Sequence, residues 1–390
     1  MHREARKETG LTFYRRDRAY PGYTLYAPLV GQGDVYLIDM LGNIVKRWKL
    51  SEPPGNYGFL LRNGNLLYSG RTPTGQVLLG GKGGVLYEVN WQGDIVWDYR
   101  NDLMHHDFDR LPNGNTMVLV WESVPAELYE SIKGGVPGTE QNGGIWGDAI
   151  LEVTPAGRVV WEWHGYEHLD GAEDSICPLC PRNQWTHANA IEYVELPGGK
   201  PAILISFRFQ NTLALIDRST GDWIWKWGRD DLGHQHDPTM LDSGNILVFD
   251  NGLHYLVNKK HMQRQILARG TPRSRLVEVN PTTNDICWEY MGNPRYSFLS
   301  AFLSGAQRLP NGNTLACEGI TGRFFEVSQD GEVVWEYIVP FYGDFRDFKN
   351  VNMCFRCYRY GADFPGFLGK DLDAESYKWL NHIVRTTAVS

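Results

Sequence analysis

Apolar and polar residues alternate with a period of two through most of the chain, as expected for strands that bury one face. The alternation is organised in a repeat. One unit occurs six times, as YLIDMLGNIVKRW, LYEVNWQGDIVWDY, ILEVTPAGRVVWEW, ALIDRSTGDWIWKW, LVEVNPTTNDICWEY and FFEVSQDGEVVWEY. Each copy turns at Gly42, Gly93, Gly157, Gly221, Asn284 or Gly331, and six positions later carries Trp48, Tyr99, Trp163, Trp227, Tyr290 or Tyr337. Five copies also place a Trp four positions after the turn, at Trp97, Trp161, Trp225, Trp288 and Trp335. Period-two runs flanking a glycine turn form a hairpin. Aromatics of equal parity then share one face, where they can pack against a neighbouring sheet.

A second hairpin precedes five of these units, in FLLRNGNLLYS, FDRLPNGNTMVLV, IEYVELPGGKPAILIS, PTMLDSGNILVFD and AQRLPNGNTLACEG. Asn-Gly and Gly-Gly supply the positive φ of tight turns. The first unit is preceded instead by GYTLYAPL, which lacks a glycine turn. Two hairpins make a four-stranded sheet, and six such sheets predict an all-β fold, a six-bladed β-propeller of four-stranded antiparallel blades. The expected organisation is an N-terminal arm over 1–20, the propeller over 21–345, and a C-terminal extension over 346–390 packing on it. GYTLYAPL fits either the inner strand of blade 1 or the completion of blade 6.

The tight turns also give the blades a polarity. If strands A to D run outward, the A–B and C–D turns are short, and the long insertions at 122–147, 164–186 and 252–273 fall on the opposite face. Eight residues before Gly64, Gly114, Gly244 and Gly312 stand Asn56, His106, His236 and Ser304, and the longer inner hairpin of blade 4 starts at His187. These positions are expected at the channel mouth, on the long-loop face. Strand B adds Arg71 and Arg208. Neutral imidazoles together with a guanidinium would bind and polarise an oxyanion.

Composition narrows the reading. The formal net charge is −8 and no long basic run is present, which argues against nucleic acid or an anionic membrane surface as partner. No apolar run reaches a membrane span. The opening MHREARKETG lacks the apolar core of a secretory signal, so a cytoplasmic location is expected if Met1 is the natural start, and a periplasmic one if the chain was trimmed.

The segments WTHANA at 185–190, ISFRFQNTLALID at 205–217, HQHDPTMLDSGNILVFDNG at 234–252 and SGAQRLPNGNTLACEG at 304–319 resemble the bacterial arylsulfotransferases that do not use the PAPS donor. The resemblance extends from GYTLYAPL to FRCYRYG, and the expected counterpart is a shorter form without the family's N-terminal β-domain. It implies ping-pong transfer of a sulfuryl group from an aryl sulfate to a phenol, with a small aromatic substrate and no cofactor. It further implies His236 as nucleophile, with His187, Asn189 and Arg208 binding the sulfuryl group. A further histidine falls on His106 or His105, the blade register favouring His106. Ser304 holds the polar position of the last blade. His106 or His187 is the expected acid for the leaving phenol and base for the acceptor.

Two other functions fit the same residues. His106, His187 and His236 could hold one zinc or iron ion in a metal-dependent lyase, hydratase or oxygenase, or the ring could belong to a non-catalytic binding propeller. The CxxC pairs CPLC and CFRC offer Cys177, Cys180, Cys354 and Cys357 as a structural zinc set or as two buried thiol pairs. Cys287 and Cys317 are expected in the core. His164, His168, His254 and His261 are expected to be solvated or to cap loops, and Glu122, Glu173, Asp174 and Asp250 to orient the ring histidines. Trp121, Trp146, Trp185 and Phe209 are candidates for an aromatic pocket.

Overall fold

A computed structural model of the chain describes residues 9–76, 79–140, 144–254 and 273–387. Parts of the 122–147 and 252–273 insertions, and His261, lie outside them. The fold is a six-bladed β-propeller, each blade built on four antiparallel strands. No helix among the described residues is long and apolar enough to cross a membrane.

The chain forms two compact units. The first comprises Met1–Pro73, Gly83–Arg100 and Leu303–Ser390 and holds blades 1, 2 and 6. Blade 1 has as one edge strand Cys354–Gly361, paired antiparallel with Gly22–Pro28 from Gly22↔Gly361 to Pro28↔Cys354, and is completed by Asp34–Ile38 and Ile44–Lys49. The C-terminal segment is therefore part of the propeller, not only an extension resting on it, and GYTLYAPL is the second strand of blade 1. The N-terminal arm is also structured: Gly10–Tyr14 adds a fifth strand to blade 6 by pairing with Val333–Ile338. Both segments satisfy backbone groups that an edge strand would otherwise leave open.

The second unit comprises Thr74–Lys82 and Asn101–Phe302. It contains blade 3 (Met104–Arg110, Thr116–Ser123, Trp146–Val153, Val159–His164), blade 4 (Ala188–Leu196, Lys200–Phe207, Thr212–Asp217, Trp223–Trp227) and blade 5 (His236–Met240, Ile246–Asp250, Arg275–Val279, Ile286–Met291).

The repeated residues join strands and blades. The Asn after the turn glycine in four of the inner hairpins donates to a glutamate on the third strand of its own blade: Asn65 to Glu88 at 2.7 Å, Asn115 to Glu152 at 2.6 Å, Asn245 to Glu278 at 2.7 Å and Asn313 to Glu326 at 2.7 Å. The repeated Trp residues link neighbours. Trp48 Nε1 donates to the Asn90 carbonyl and Trp335 Nε1 to that of Met40, both at 3.0 Å. Trp163 Nε1 donates to Gly221 O at 3.1 Å, and Trp225 Nε1 to Asn284 Oδ1 at 2.7 Å. An indole thus buries its rings between sheets while its N–H keeps a partner.

In the second unit the insertions carry their own core. Gly134–Val136 pairs in parallel with Ile176–Pro181, over a cluster of Val124, Ile132, Ile145, Ile176, Cys177, Cys180, Trp185 and Phe209.

Candidate active site

The inner strands of blades 3, 4 and 5 share a local irregularity. Their pairing with the second strand shifts register between Val118 and Val120, between Ala188 and Ala190, and between His236 and Thr239. Such bulges re-aim side chains at strand ends. His106, His187 and Asp237 take φ of 46°, 49° and 54°, a region sparsely used by residues with a Cβ.

His106 and His187 meet edge to face, with ring centroids 4.7 Å apart at 68°. The other face of His187 stacks on Phe209 at 4.7 Å and 11°. Behind His106, His105 Nδ1 lies 2.8 Å from His106 Nδ1. His105 stacks on Trp121 at 4.5 Å, and its Nε2 is 3.1 Å from Asp148 Oδ1, at an angle outside hydrogen-bond geometry. Asp148 is itself held by the Thr186 hydroxyl and by the Ala188 N–H, tying blade 3 to the start of blade 4.

A glycine pair makes room for the rings. The Gly81 carbonyl accepts the His106 N–H at 2.8 Å. A Cβ on Gly81, whose φ is +80°, would lie 2.2 Å from the His106 ring, and one on Gly80 would lie 3.2 Å from His187 Cε1.

His236 opens blade 5. Its Nδ1 lies 2.8 Å from Asn251 Oδ1 and 3.1 Å from the His234 carbonyl. The Asn251 amide is oriented by its own Nδ2, which donates to Ser300 O at 2.7 Å. Both neighbours of Nδ1 are therefore acceptors, which assigns the proton to Nδ1 and the lone pair to Nε2. Asn189 is buried beside this strand and donates to Gln235 O at 2.8 Å.

The three imidazoles are 4%, 9% and 2% exposed for His106, His187 and His236, so they are buried, not solvated as in an open channel. Burial holds the pKa of His106 and of His187 well below the ordinary histidine range, and neighbouring imidazoles and Arg208 push the same way. Both are neutral at physiological pH. Arg208 lies in the short turn Arg208–Gln210, its guanidinium 5.5 Å over Phe209. No carboxylate pairs with it among the described residues. Burial lowers its pKa, opposed by the nearby Cys180 and Cys177, and it remains a cation.

The family profile described as Arylsulfotransferase (ASST) matches residues 6–232. The chain belongs to the arylsulfotransferase family. The matched stretch includes His106, His187, Asn189 and Arg208 and ends just before His236. No curated protein matched. Solved structures similar to this arylsulfotransferase-family chain include a protein of unknown function from Bacteroides caccae, at 15% identity and TM-score 0.49, covering 81% of this chain and 93% of that one. A streptogramin B lyase is 12% identical with TM-score 0.44, covering 86% of this chain and 89% of that one. Virginiamycin B lyase from Staphylococcus aureus is 12% identical with TM-score 0.43, covering 85% and 88%.

Other expected site residues of this arylsulfotransferase-family chain lie in the first unit. Asn56 is buried in Pro54–Leu60, Ser304 is buried at the start of Ser304–Arg308, and Arg71 ends Leu66–Arg71 with its guanidinium 5.3 Å over Phe345. The carboxylates expected to orient the ring histidines act elsewhere. Asp250 binds Arg275, Asp174 binds Lys226, and Glu122 lies 2.6 Å from His164 Nδ1. The group that orients His236 is Asn251, one residue beyond Asp250. Trp121, Trp185 and Phe209 are buried in packing and do not form an open pocket. A cavity of about 790 Å³ lies at the tight turns of blades 4 and 5, lined by Glu192, Met240, Gly244 and Pro281 among others, and includes none of the histidines.

The cysteines depart from expectation. The CPLC sulfurs do not complete a four-cysteine set with CFRC. Cys177 and Cys180 instead come together with His234 and His254, the four ligand atoms lying within 4.8 Å of one another. Cys354 and Cys357 sit in a hydrophobic cluster with Tyr26, Phe324 and Tyr337. Cys317 is buried as expected, but Cys287 is exposed. His254 faces the CPLC sulfurs and is not a solvated loop residue. Among the described residues, the set that closes to metal-ligand spacing is this one and not His106, His187 and His236.

Proposed function

We propose that the chain transfers a sulfuryl group from an aryl sulfate to a phenolic acceptor, with His236 as the covalent carrier. The observation that carries this reading is the pair of acceptors on His236 Nδ1, which leaves Nε2 as a neutral nucleophile. Attack of Nε2 on sulfur forms an N–S bond and breaks the S–O(aryl) bond, releasing the aryl oxide. The acceptor hydroxyl then attacks the same sulfur and loses its proton, and the N–S electron pair returns to Nε2. The proton gained by the first phenol balances the one lost by the second.

Arg208 and the neutral N–H groups of His106 and His187 would carry the negative charge spread over the sulfuryl oxygens. With pKa values held low by burial, either imidazole suits the role of base for the acceptor better than that of a standing acid. Asn189 would fix the loop between them.

The test is intact-mass analysis after incubation with an activated aryl sulfate and no acceptor. Wild type should gain a sulfuryl group, His236→Asn should not, and Arg208→Lys should label slowly, because an ammonium cannot copy the planar guanidinium fork. Absence of any adduct and of phenol release across a broad donor panel overturns the reading.

A further inference from the structure

We propose that Cys177, Cys180, His234 and His254 form a structural zinc site that fastens the 164–186 insertion of the second unit to blades 4 and 5. It does not depend on the sulfuryl-transfer reading.

The geometry comes first. Cys180 Sγ lies 3.4 Å from His234 Nε2, and the Sγ atoms of Cys180 and Cys177 each lie 3.7 Å from His254 Nδ1. A tetrahedral zinc with bonds of about 2.3 Å to sulfur and about 2.05 Å to nitrogen has sulfur–nitrogen edges of roughly 3.6 Å. The observed separations match that edge. Two thiolates and two imidazoles are a set that selects zinc among common divalent ions. Two thiolates also neutralise the ion, as burial demands.

The ligands come from three separate places. Cys177 and Cys180 share the short strand Ile176–Pro181. His234 precedes the inner strand of blade 5, and His254 follows its second strand Ile246–Asp250. One side chain holds both histidine segments: Asn211 Oδ1 accepts the His234 N–H at 2.8 Å, and Asn211 Nδ2 donates to His254 O at 3.1 Å. Asn211, His234 and His254 take φ of 55°, 58° and 51°, strained conformations that cluster where a ligand repays their cost. Four protein ligands leave no open position, which makes the site structural and not catalytic. Cys177, Cys180 and His234 are buried at 1%, 2% and 1% exposure.

The site adjoins the sulfuryl-binding edge. Phe209, on which His187 stacks, has its ring 6.1 Å from that of His234. Zinc would hold the insertion that packs around Phe209 and so keep His187 and Arg208 in place.

The experiment is elemental analysis and native mass spectrometry of the full chain purified without added chelator. About one zinc per chain is expected. Cys177→Ser and His254→Ala should each lose it, while Cys287→Ser and His236→Asn keep it. Cobalt added to metal-stripped wild type should give thiolate-to-metal charge transfer and tetrahedral visible bands, weakened in Cys177→Ser. If the ligand variants fail to fold, zinc release from folded wild type on thiol modification reads the same ligation. Three results overturn the proposal: wild type that neither holds zinc nor takes up cobalt, a native mass lacking two hydrogens with a Cys177–Cys180 disulfide mapped, or full zinc content in the Cys177→Ser, Cys180→Ser double variant. Because His236→Asn should keep zinc while losing any sulfuryl adduct, the two readings fail separately.

Discussion

Asn251 Oδ1 accepts a hydrogen bond from His236 Nδ1 at 2.8 Å, and the Asn251 amide is turned to do so by its own donation to Ser300 O at 2.7 Å. An amide that can only accept at this oxygen fixes the tautomer without adding charge. In the proposed sulfuryl transfer Asn251 is a positioning residue. Asn251→Ala should lower kcat, with a loss of the wrong-tautomer kind that reaches roughly 10⁴-fold at its limit. Asn251→Asp keeps an acceptor but favours the imidazolium, so it should retain more activity while the acidic limb of the kcat/KM profile moves to higher pH. Steady-state kinetics across pH decides. Unchanged profiles in both variants would show that the contact only packs the strand.

Gly81 and Gly114 separate steric fit from backbone preference. Both have positive φ, +80° and +86°, but a Cβ on Gly81 would strike the His106 ring at 2.2 Å, whereas one on Gly114 meets nothing within 4 Å. Alanine should cost about 1–2 kcal/mol of stability at either site through the left-handed backbone alone. Only Gly81→Ala should displace the His106 imidazole, and if His106 acts as proposed a shift of about 1 Å costs roughly 100-fold in rate. Melting temperature and turnover of the two variants check this. Equal turnover in both would remove the glycine pair from the site.

Stability should fall as pH rises through neutrality. Burial pushes Asp109 up to about 7, with Asp107 adding to the effect against the Tyr193 N–H bond. Burial likewise pushes Glu192 up to about 8, with Asp109, Asp237 and Asp107 adding to it against the Met240 N–H bond. The folded state keeps protons that the unfolded chain releases near the ordinary carboxylate value of about 4, so ionisation favours unfolding from there up through the folded pKa values. His106 and His187, held low, favour unfolding on the acid side instead. Above about 6.5 they are neutral in both states, which leaves the carboxylates to set the slope. Urea unfolding should show stability declining between about pH 6.5 and about pH 8.5, with a smaller slope in Glu192→Gln. A stability that is flat or rises across that window contradicts the raised pKa of Asp109 and Glu192.

Much of the molecule was legible along the chain because its contacts are local. An NGN turn and alternating flanks specify a hairpin within a dozen residues, and the repeat then specifies the blade, down to the Asn that bonds the glutamate of the third strand. His106 and His236 near the starts of the inner strands followed from the same register, and His187, one residue before Ala188–Leu196, from the start of the longer blade 4 hairpin. Three features were decided by tertiary structure. Cys354–Gly361 pairs with Gly22–Pro28 across more than three hundred residues, and no period links the two segments. Gly80–Gly81 cradles His106 and His187 only because the segment Thr74–Lys82 packs within the second unit, some twenty-five and a hundred residues from the rings it holds. Cys177 and Cys180 meet His234 and His254 through a folded insertion, and CxxC spacing names one half of such a site while carrying no information about the partner that completes it. Local turn chemistry acts through neighbours in sequence. Closure, cradles and ligand sets depend on side chains that only the packed fold brings within a few ångströms.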